Sequence, residues 1–565
     1  MDFFAQTSAA SSAVAASKRL ALGMTLALLT YDASHLAMAQ KAPAIASVPD
    51  FAPAMIEHAR NMRRYRDPDR GVQPTPRIID RFEAHIDPSG VIASFQPNGA
   101  TITSNNAFFK DMGTNGRTCF SCHQPQNGWS VSAKDVAERF ERSSGTDPIF
   151  RLVDGATCPS DDVATLRAKR KAYKLLTDKG LIRIDLAIPA TAEFTVVGVD
   201  DPYGCNTNPA TGITKQTPTQ TIGILSMYRR PLPTTNITFD SAIMWDGRES
   251  PPSIDLDTGF RNQVVDATLI HAQATTPPTA AQIDEIVKFQ KGIFTAQVFD
   301  DKAKFLTGDH AKGGPVQVSI DAGSFFIGIN DPLGGNPQGT PFTSKVFTLY
   351  QPWLGAGTRR DNDHSTPMAT EELLRRVNIS DAWHFNDHER NKVNEHRRSV
   401  ARGEELFNNT KIAITGVGGL NDKLGVARID GFCGTCHDTP NAGNHSVKLP
   451  IDIGVPDAGD KKPPVLDISG LPVFTLKCSN VADDSPLKNK IYKVTDPGRA
   501  MISGKCADIG LFKGPILRGL AARAPYFHNG SAETLRDVVN FYDKRFGIGF
   551  TRDQVTDLVN FLDTL

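Results

Sequence analysis

The stretch GRTCFSCHQP, Gly116 to Pro125, sets two cysteines two residues apart and follows the second with a histidine. About three hundred residues on, the chain repeats the arrangement in FCGTCHDT, Phe432 to Thr439. C-x-x-C-H is the attachment pattern of a c-type haem. Two thioether bonds join the cysteines to the vinyl groups, and a turn with two intervening residues supplies the separation they need. The adjacent histidine then meets the iron as proximal ligand. The competing readings of C-x-x-C are a zinc site and a redox dithiol. Zinc would need two further ligands at matching spacing and leaves the histidine without a role. A dithiol usually lies in a βα context, which the flanking residues do not suggest. Two copies, each ending in histidine, favour two covalently bound c-type haems. One would sit on Cys119, Cys122 and His123, the other on Cys433, Cys436 and His437.

Lys18 and Arg19 precede an apolar run, Leu20 to Leu29, and Ala37-Met38-Ala39 follows. Charge, a short apolar core and a small-x-small site describe a cleavable signal peptide over 1–39. The run is short for a bilayer span and no later stretch is longer, so no membrane span is expected after signal removal. The mature chain is expected to be periplasmic or secreted, where thiols oxidise. Four of the eight cysteines belong to the haem motifs. Closeness in sequence pairs the others as Cys158 with Cys205 and Cys478 with Cys506, each bond contributing about 3 kcal/mol. Free buried thiols are the alternative. A length of 565 residues allows two or more domains. Lys+Arg and Asp+Glu balance at 62 each, which gives no reason to expect nucleic acid as a partner.

Helical periodicity and caps predict helices over Ser132 to Phe140, Asp161 to Asp178, Ala280 to Phe299, Glu371 to Val377, Ser399 to Phe407, Thr534 to Tyr542 and Thr551 to Leu565. Residues 40–68 look like a lead-in. Ser143 to Thr219 look irregular, and Thr307 to Thr366 loop-like. The expected fold is mainly α: two cytochrome-c-like haem domains, with long irregular insertions in the first. Their bounds are 40–395 and 396–565.

Several stretches together resemble the bacterial di-haem cytochrome c peroxidase/MauG superfamily. They are the two haem motifs, AIMWDGRES (Ala242 to Ser250), LFKGPILRGLAARAPYFHNGSAETLRDVVNFYD (Leu511 to Asp543) and the final helix. The resemblance is dense after Arg397 and patchier over Phe108 to Trp129 and Thr221 to Gln273. The insertions make the chain more like the enlarged members, which include rubber-cleaving oxygenases. The resemblance implies a peroxidatic haem on His123 and an electron-transfer haem on His437. Trp245 matches the tryptophan between the haems, and Arg248 is a candidate for a haem propionate or for fixing the loop.

In the peroxidases a methionine, and in MauG a tyrosine, stands fourteen residues after the histidine of P-Y-x-H-x-G. Here that place, counted from His528, holds Tyr542. His528 and Met501 are the other candidates for second ligand of the His437 haem. The peroxidases also carry a distal glutamate ten residues after a glutamine. If Gln263 is that glutamine, the place holds Gln273, whose amide cannot pass a proton on as a carboxylate can. His271 could, or it could be structural. The family's calcium ion, bound largely by carbonyls near A-P-Y-x-H, is a further candidate cofactor. Pro525 is retained, and Arg523 stands where threonine is usual.

Three functions follow. The first is a peroxidase that reduces hydrogen peroxide with electrons from a small periplasmic cytochrome c or cupredoxin. The second is an oxidase or oxygenase that uses peroxide or oxygen on an organic or protein substrate. The third is a non-catalytic electron carrier.

Overall fold

The computed structural model describes residues 75–206, 213–216, 221–356, 387–459 and 465–565. The expected signal peptide, the lead-in 40–68 and the helix expected over Glu371 to Val377 lie outside them.

The C-terminal segment is organised by two crossing helices, Asp387–Asn409 and Arg552–Asp563. They cross at Gly403. A Cβ on that residue would stand 2.0 Å from the carbonyl oxygen of Asp557 and 2.6 Å from Phe561 Cβ, so the backbones meet without a side chain between them. Val400, Ala401, Phe407, Leu558, Phe561 and Leu562 pack around the crossing. Phe347, Tyr350 and Trp353 close it from the preceding loop segment. The Phe407 ring lies 5.9 Å from Phe561 and 6.0 Å from the His437 ring. The crossing therefore fixes the floor of the second C-x-x-C-H turn. The longer helix runs without a break through the expected 395/396 boundary.

The first turn rests on aromatic packing of another kind. Phe108, Phe109, Phe120, Trp129 and Phe289 form a cluster with residues of the helices Leu256–Ile270 and Ala280–Lys291. Phe108 lies 6.3 Å from the His123 ring, the counterpart of Phe407.

Strands are more abundant than a mainly α reading allows: the described residues hold fourteen, in five sheets. One is an antiparallel meander of Phe82–Asp87, Gly90–Phe95, Phe294–Asp300 and Lys304–Phe305. The helix predicted over Ala280 to Phe299 stops at Lys291 because Gly292 ends it and Phe294–Asp300 finds a sheet partner. The stretch from Ser143 to Thr219 is not irregular throughout. Its single predicted helix is two short ones, Leu166–Ala172 and Lys174–Lys179. Its strands Ile182–Ala187 and Phe194–Asp200 pair with Thr221–Arg229 and with Val473–Cys478. Sheet pairing at long range overrode a weak local pattern. The loop-like 307–366 holds the helix Pro315–Ala322. Both predicted disulfides are present, Cys158–Cys205 and Cys478–Cys506. No helix among the described residues is long and apolar enough to cross a membrane.

Replacing Gly403 with alanine forces the two helices apart. Overpacking of this kind costs about 1–3 kcal/mol. The Gly403→Ala holoprotein should therefore unfold at a lower temperature than the parent in a calorimetric scan, and an equal transition would disprove the close crossing.

Candidate functional site

The two C-x-x-C-H turns are built alike. In each, the histidine N–H donates to the carbonyl of the first cysteine, at 3.0 Å for His123 on Cys119 and 3.0 Å for His437 on Cys433. The second cysteine N–H donates to the same carbonyl at 3.2 Å in both. A hydroxyl locks each turn from within: Ser121 Oγ accepts from Thr118 N at 3.0 Å, and Thr435 Oγ1 from Phe432 N at 2.9 Å. Each imidazole then bonds through Nδ1 to a carbonyl six residues on, Trp129 O at 3.0 Å and Gly443 O at 2.6 Å. Gly443 reaches its place with φ +72°, in the left-handed region that glycine adopts without strain. Nδ1 is thus the donor, and Nε2 keeps its lone pair.

Two cavities open over these turns, of about 180 Å³ over the first and about 230 Å³ over the second. Cys119, Cys122 and His123 line the first; Cys433, Cys436 and His437 line the second. The exposed face of each imidazole is turned to a cavity and not to open solvent. Burial pushes His123 down to about 4 and lowers His437 as well, which favours the neutral imidazole in both. The four cysteines are free. Burial pushes the thiols of Cys119, Cys433 and Cys436 up to about 12, the reverse of an activated dithiol. Among the described residues no group of three His, Cys, Asp or Glu could hold a metal ion. Paired thiols and an oriented neutral imidazole on an apolar cavity wall fit a c-type haem at each turn.

The first cavity carries the polar groups. His271, at the end of the helix Leu256–Ile270, lines it and donates from Nδ1 to Asp154 Oδ2 at 2.5 Å. Burial most strongly opposes ionisation of Asp154, but the Arg117 guanidinium and the His271 imidazole together outweigh it and hold the carboxyl below its usual range. Gln290, buried on the helix Ala280–Lys291, lines the same cavity with its Oε1 unpartnered. Gln273 does not belong to this wall. It is exposed, and its Oε1 accepts from Asn115 Nδ2 at 3.2 Å. The chain turns outward there, at φ +55°, so counting ten residues from Gln263 lands outside the cavity.

The second cavity is almost wholly apolar, and both Tyr542 and His528 line it. His528 is 3% exposed, stacks on Phe512 at 3.9 Å and leaves Nε2 without a partner. Met501 is elsewhere, in the core with Phe194, Phe474 and Cys506, so it is no ligand candidate.

Trp245 and Lys513 line both cavities. Trp245 donates from Nε1 to Arg230 O at 2.7 Å and packs 6.1 Å from the His528 ring. Lys513 donates its backbone N–H to Trp245 O at 2.9 Å, and its ammonium bonds Asp240 and Ala242 O. Arg248 pairs with Asp246 Oδ2 at 2.9 Å and also lines the first cavity. Asp154, Arg117, Gln290 and Lys513 were not legible as site residues: no motif carries them, and only the fold brings them to the cavity walls.

No family model matches the chain. It is 33% identical over 142 residues to a cytochrome-c peroxidase of Denitromonas iodatirespirans, covering 24% of this chain and 36% of that protein. It is 38% identical over 79 residues to the cytochrome c551 peroxidase of Nitrosomonas europaea, covering 14% of this chain and 24% of that one. The matches thus span well under half of either relative. Among solved structures, a MauG-like protein associated with microbial copper homeostasis aligns over 82% of this chain and 87% of its own, at 13% identity and a TM-score of 0.28. The curated similarities support the resemblance to the di-haem cytochrome c peroxidase/MauG superfamily that the motifs carry.

The carbonyls beside A-P-Y do not fit the calcium ion which that resemblance implies. Arg523 donates to Gly519 O, Ile516 O and Arg518 O at 3.0, 3.2 and 2.6 Å. Arg230 donates to Lys179 O, Val131 O and Arg523 O at 2.8, 2.6 and 2.6 Å. Burial pushes Arg230 down to about 9, helped by the Arg523 charge, and Arg523 to about 10. Carbonyl oxygens are what a hard cation seeks, and here two guanidinium groups hold them. Elemental analysis of the purified protein should find no stoichiometric calcium, and a chelator should leave its unfolding temperature unchanged. A chelator-induced fall would show that the ion is present.

Proposed function

We propose that the chain is an exported di-haem c-type oxidoreductase that reduces hydrogen peroxide with electrons from a small periplasmic cytochrome c or cupredoxin. The observation that carries this reading is the common wall: two cavities, each over a C-x-x-C-H turn, share Trp245 and Lys513. The two disulfides fit an oxidising compartment. A haem held at each turn supplies the one-electron chemistry that the reaction needs. The sum is hydrogen peroxide, two electrons and two protons giving two waters.

The residues divide the work. The 40–395 segment, with His123, forms the peroxide site, and the 396–565 segment, with His437, receives electrons. His271 is the proton-transfer group of the first cavity, because it is the titratable imidazole on that wall besides the ligand His123. Arg248 lines the same cavity and is the candidate for a haem propionate. Trp245 bridges the cavities for electron passage. Tyr542 is the second ligand at the His437 site by its register from His528; the unpartnered Nε2 makes His528 the rival.

One feature favours a second reading, an oxidase or oxygenase acting on an organic or protein substrate. The inserted strand Ile182–Ala187 contributes Ile182 and Ile184 to the first cavity, an apolar wall that peroxide does not require.

Turnover of peroxide with a reduced small cytochrome decides between them. The parent should oxidise the donor on peroxide addition, and Trp245→Phe should slow this at least about tenfold with haem content unchanged, a loss of roughly 1.4 kcal/mol in barrier terms. No turnover, with rapid bleaching of added organic substrates instead, would favour the oxidase. Electron paramagnetic resonance tests the ligand: Tyr542→Phe should alter the low-spin signal of the second site and His528→Ala should not. The reverse would assign His528.

A further inference from the structure

The insertion Ser143 to Thr219 matches nothing in the short peroxidases, yet it places one charged residue on the wall of the first cavity. That residue is Asp154, 3% exposed. One carboxylate oxygen accepts from His271 Nδ1 at 2.5 Å and the other from Arg117 Nη1 at 2.5 Å. Its backbone is tied as well, since Asp154 O accepts from Arg183 N at 2.7 Å. Arg117 stands two residues before Cys119 and reaches into the insertion, donating to Pro148 O at 2.8 Å and Ile149 O at 2.6 Å. The His271 carbonyl is held from the same side by Asn115 Nδ2 at 2.8 Å. Three separate pieces of chain thus meet at one imidazole: the haem turn, the insertion and a helix end.

We propose that Asp154 is a positioning residue for proton transfer: anchored by Arg117, it fixes the tautomer and orientation of His271 so that Nε2 serves the first cavity. A carboxylate on Nδ1 makes that nitrogen the donor and leaves the lone pair on Nε2. It also stabilises the imidazolium that forms when Nε2 takes a proton. Without it, a partly exposed imidazole at a helix end has two tautomers and a free ring torsion. In the reaction, a peroxide O–H proton moves to Nε2 while Nδ1–H stays on Asp154. The same proton then passes to the departing oxygen, which leaves as water, and the donor's two electrons with two further protons convert the remaining oxygen to the second water. His271, held by the insertion's Asp154, thereby takes the proton-transfer role that the resemblance gives to a distal glutamate. This rests on reading the first cavity as the peroxide site.

The test uses the haem-loaded protein and the variants Asp154→Asn, Asp154→Glu, His271→Ala and Asp154→Asn/His271→Ala, each checked for haem content and circular dichroism. Two rates are followed: peroxide turnover with a reduced small cytochrome, and cyanide association with the oxidised protein. Hydrogen cyanide must lose a proton to bind, so the second rate reports the base without requiring turnover. General acid–base groups contribute about 10²–10⁴-fold. Asp154→Asn should therefore slow both rates by about 10- to 100-fold, Asp154→Glu should recover part of the loss, and the double variant should match His271→Ala. Parent-like rates in Asp154→Asn, or losses that multiply in the double variant, would overturn the positioning role and leave peroxide reduction standing. A parent with no turnover, but with cyanide binding slowed by Asp154→Asn, would uphold the positioning role and remove peroxide reduction. A parent that does neither would remove both.

Discussion

Arg229 ends the strand Thr221–Arg229 and is buried between two carboxylates. Asp496 takes its Nε and Nη2 at 2.6 and 2.9 Å, and Asp246 takes Nη1. Asp246 belongs to the W-D-G-R turn and Asp496 to the C-terminal segment, so one guanidinium joins the two halves next to Trp245. The same guanidinium lies 5.8 Å over Phe512, the ring on which His528 stacks. Removing Arg229 would leave the buried Asp496 carboxylate without its cation, at about 3–5 kcal/mol. Against a well-packed apolar replacement the whole knot stabilises little. What it contributes is direction, because charge-assisted bonds fix the angle at which strand, turn and segment meet. The wall between the cavities depends on that angle.

The parts of the site that were legible in the sequence are those whose chemistry demands a fixed local spacing. C-x-x-C-H is such a case, since a single turn places all three side chains on one cavity wall. Trp245 and His528 were legible because their motifs are short and contiguous. Counting along the chain led to a cavity wall at Tyr542, because a capped helix, Leu535–Phe546, carries it there. Counting failed for Gln273, because the helix from Leu256 ends at Ile270 and a left-handed turn reverses the chain. The antiparallel sheets were missed for a related reason. The strand Phe194–Asp200 pairs with Val473–Cys478 from a distant part of the chain, and neither has a partner that local pattern reveals.

The insertion changes what an enlarged chain means. It is not a passive addition on the surface. It is tied to the rest of the chain by the strand Ile182–Ala187 and by Arg117, braced within itself by the disulfide Cys158–Cys205, and its Asp154 reaches the cavity wall. Each tie is of a different chemical kind, so the position of one carboxylate is over-determined. The buried Arg139–Asp147 pair adds another hold, with Arg139 Nη2 also donating to Ser121 O inside the haem turn at 2.8 Å.

The setting of Trp245 bears on how charge crosses the common wall. Its indole N–H is bonded to the carbonyl of Arg230 and to no titratable group. A backbone carbonyl accepts a hydrogen bond but does not take up the proton. Loss of an electron from this indole would therefore leave the positive charge on the ring. A carboxylate or imidazole in the same place would have accepted the proton and trapped a neutral radical. An indole cation that keeps its proton remains a strong oxidant. Under the proposed function, this setting suits the wall to passing electrons between the two cavities.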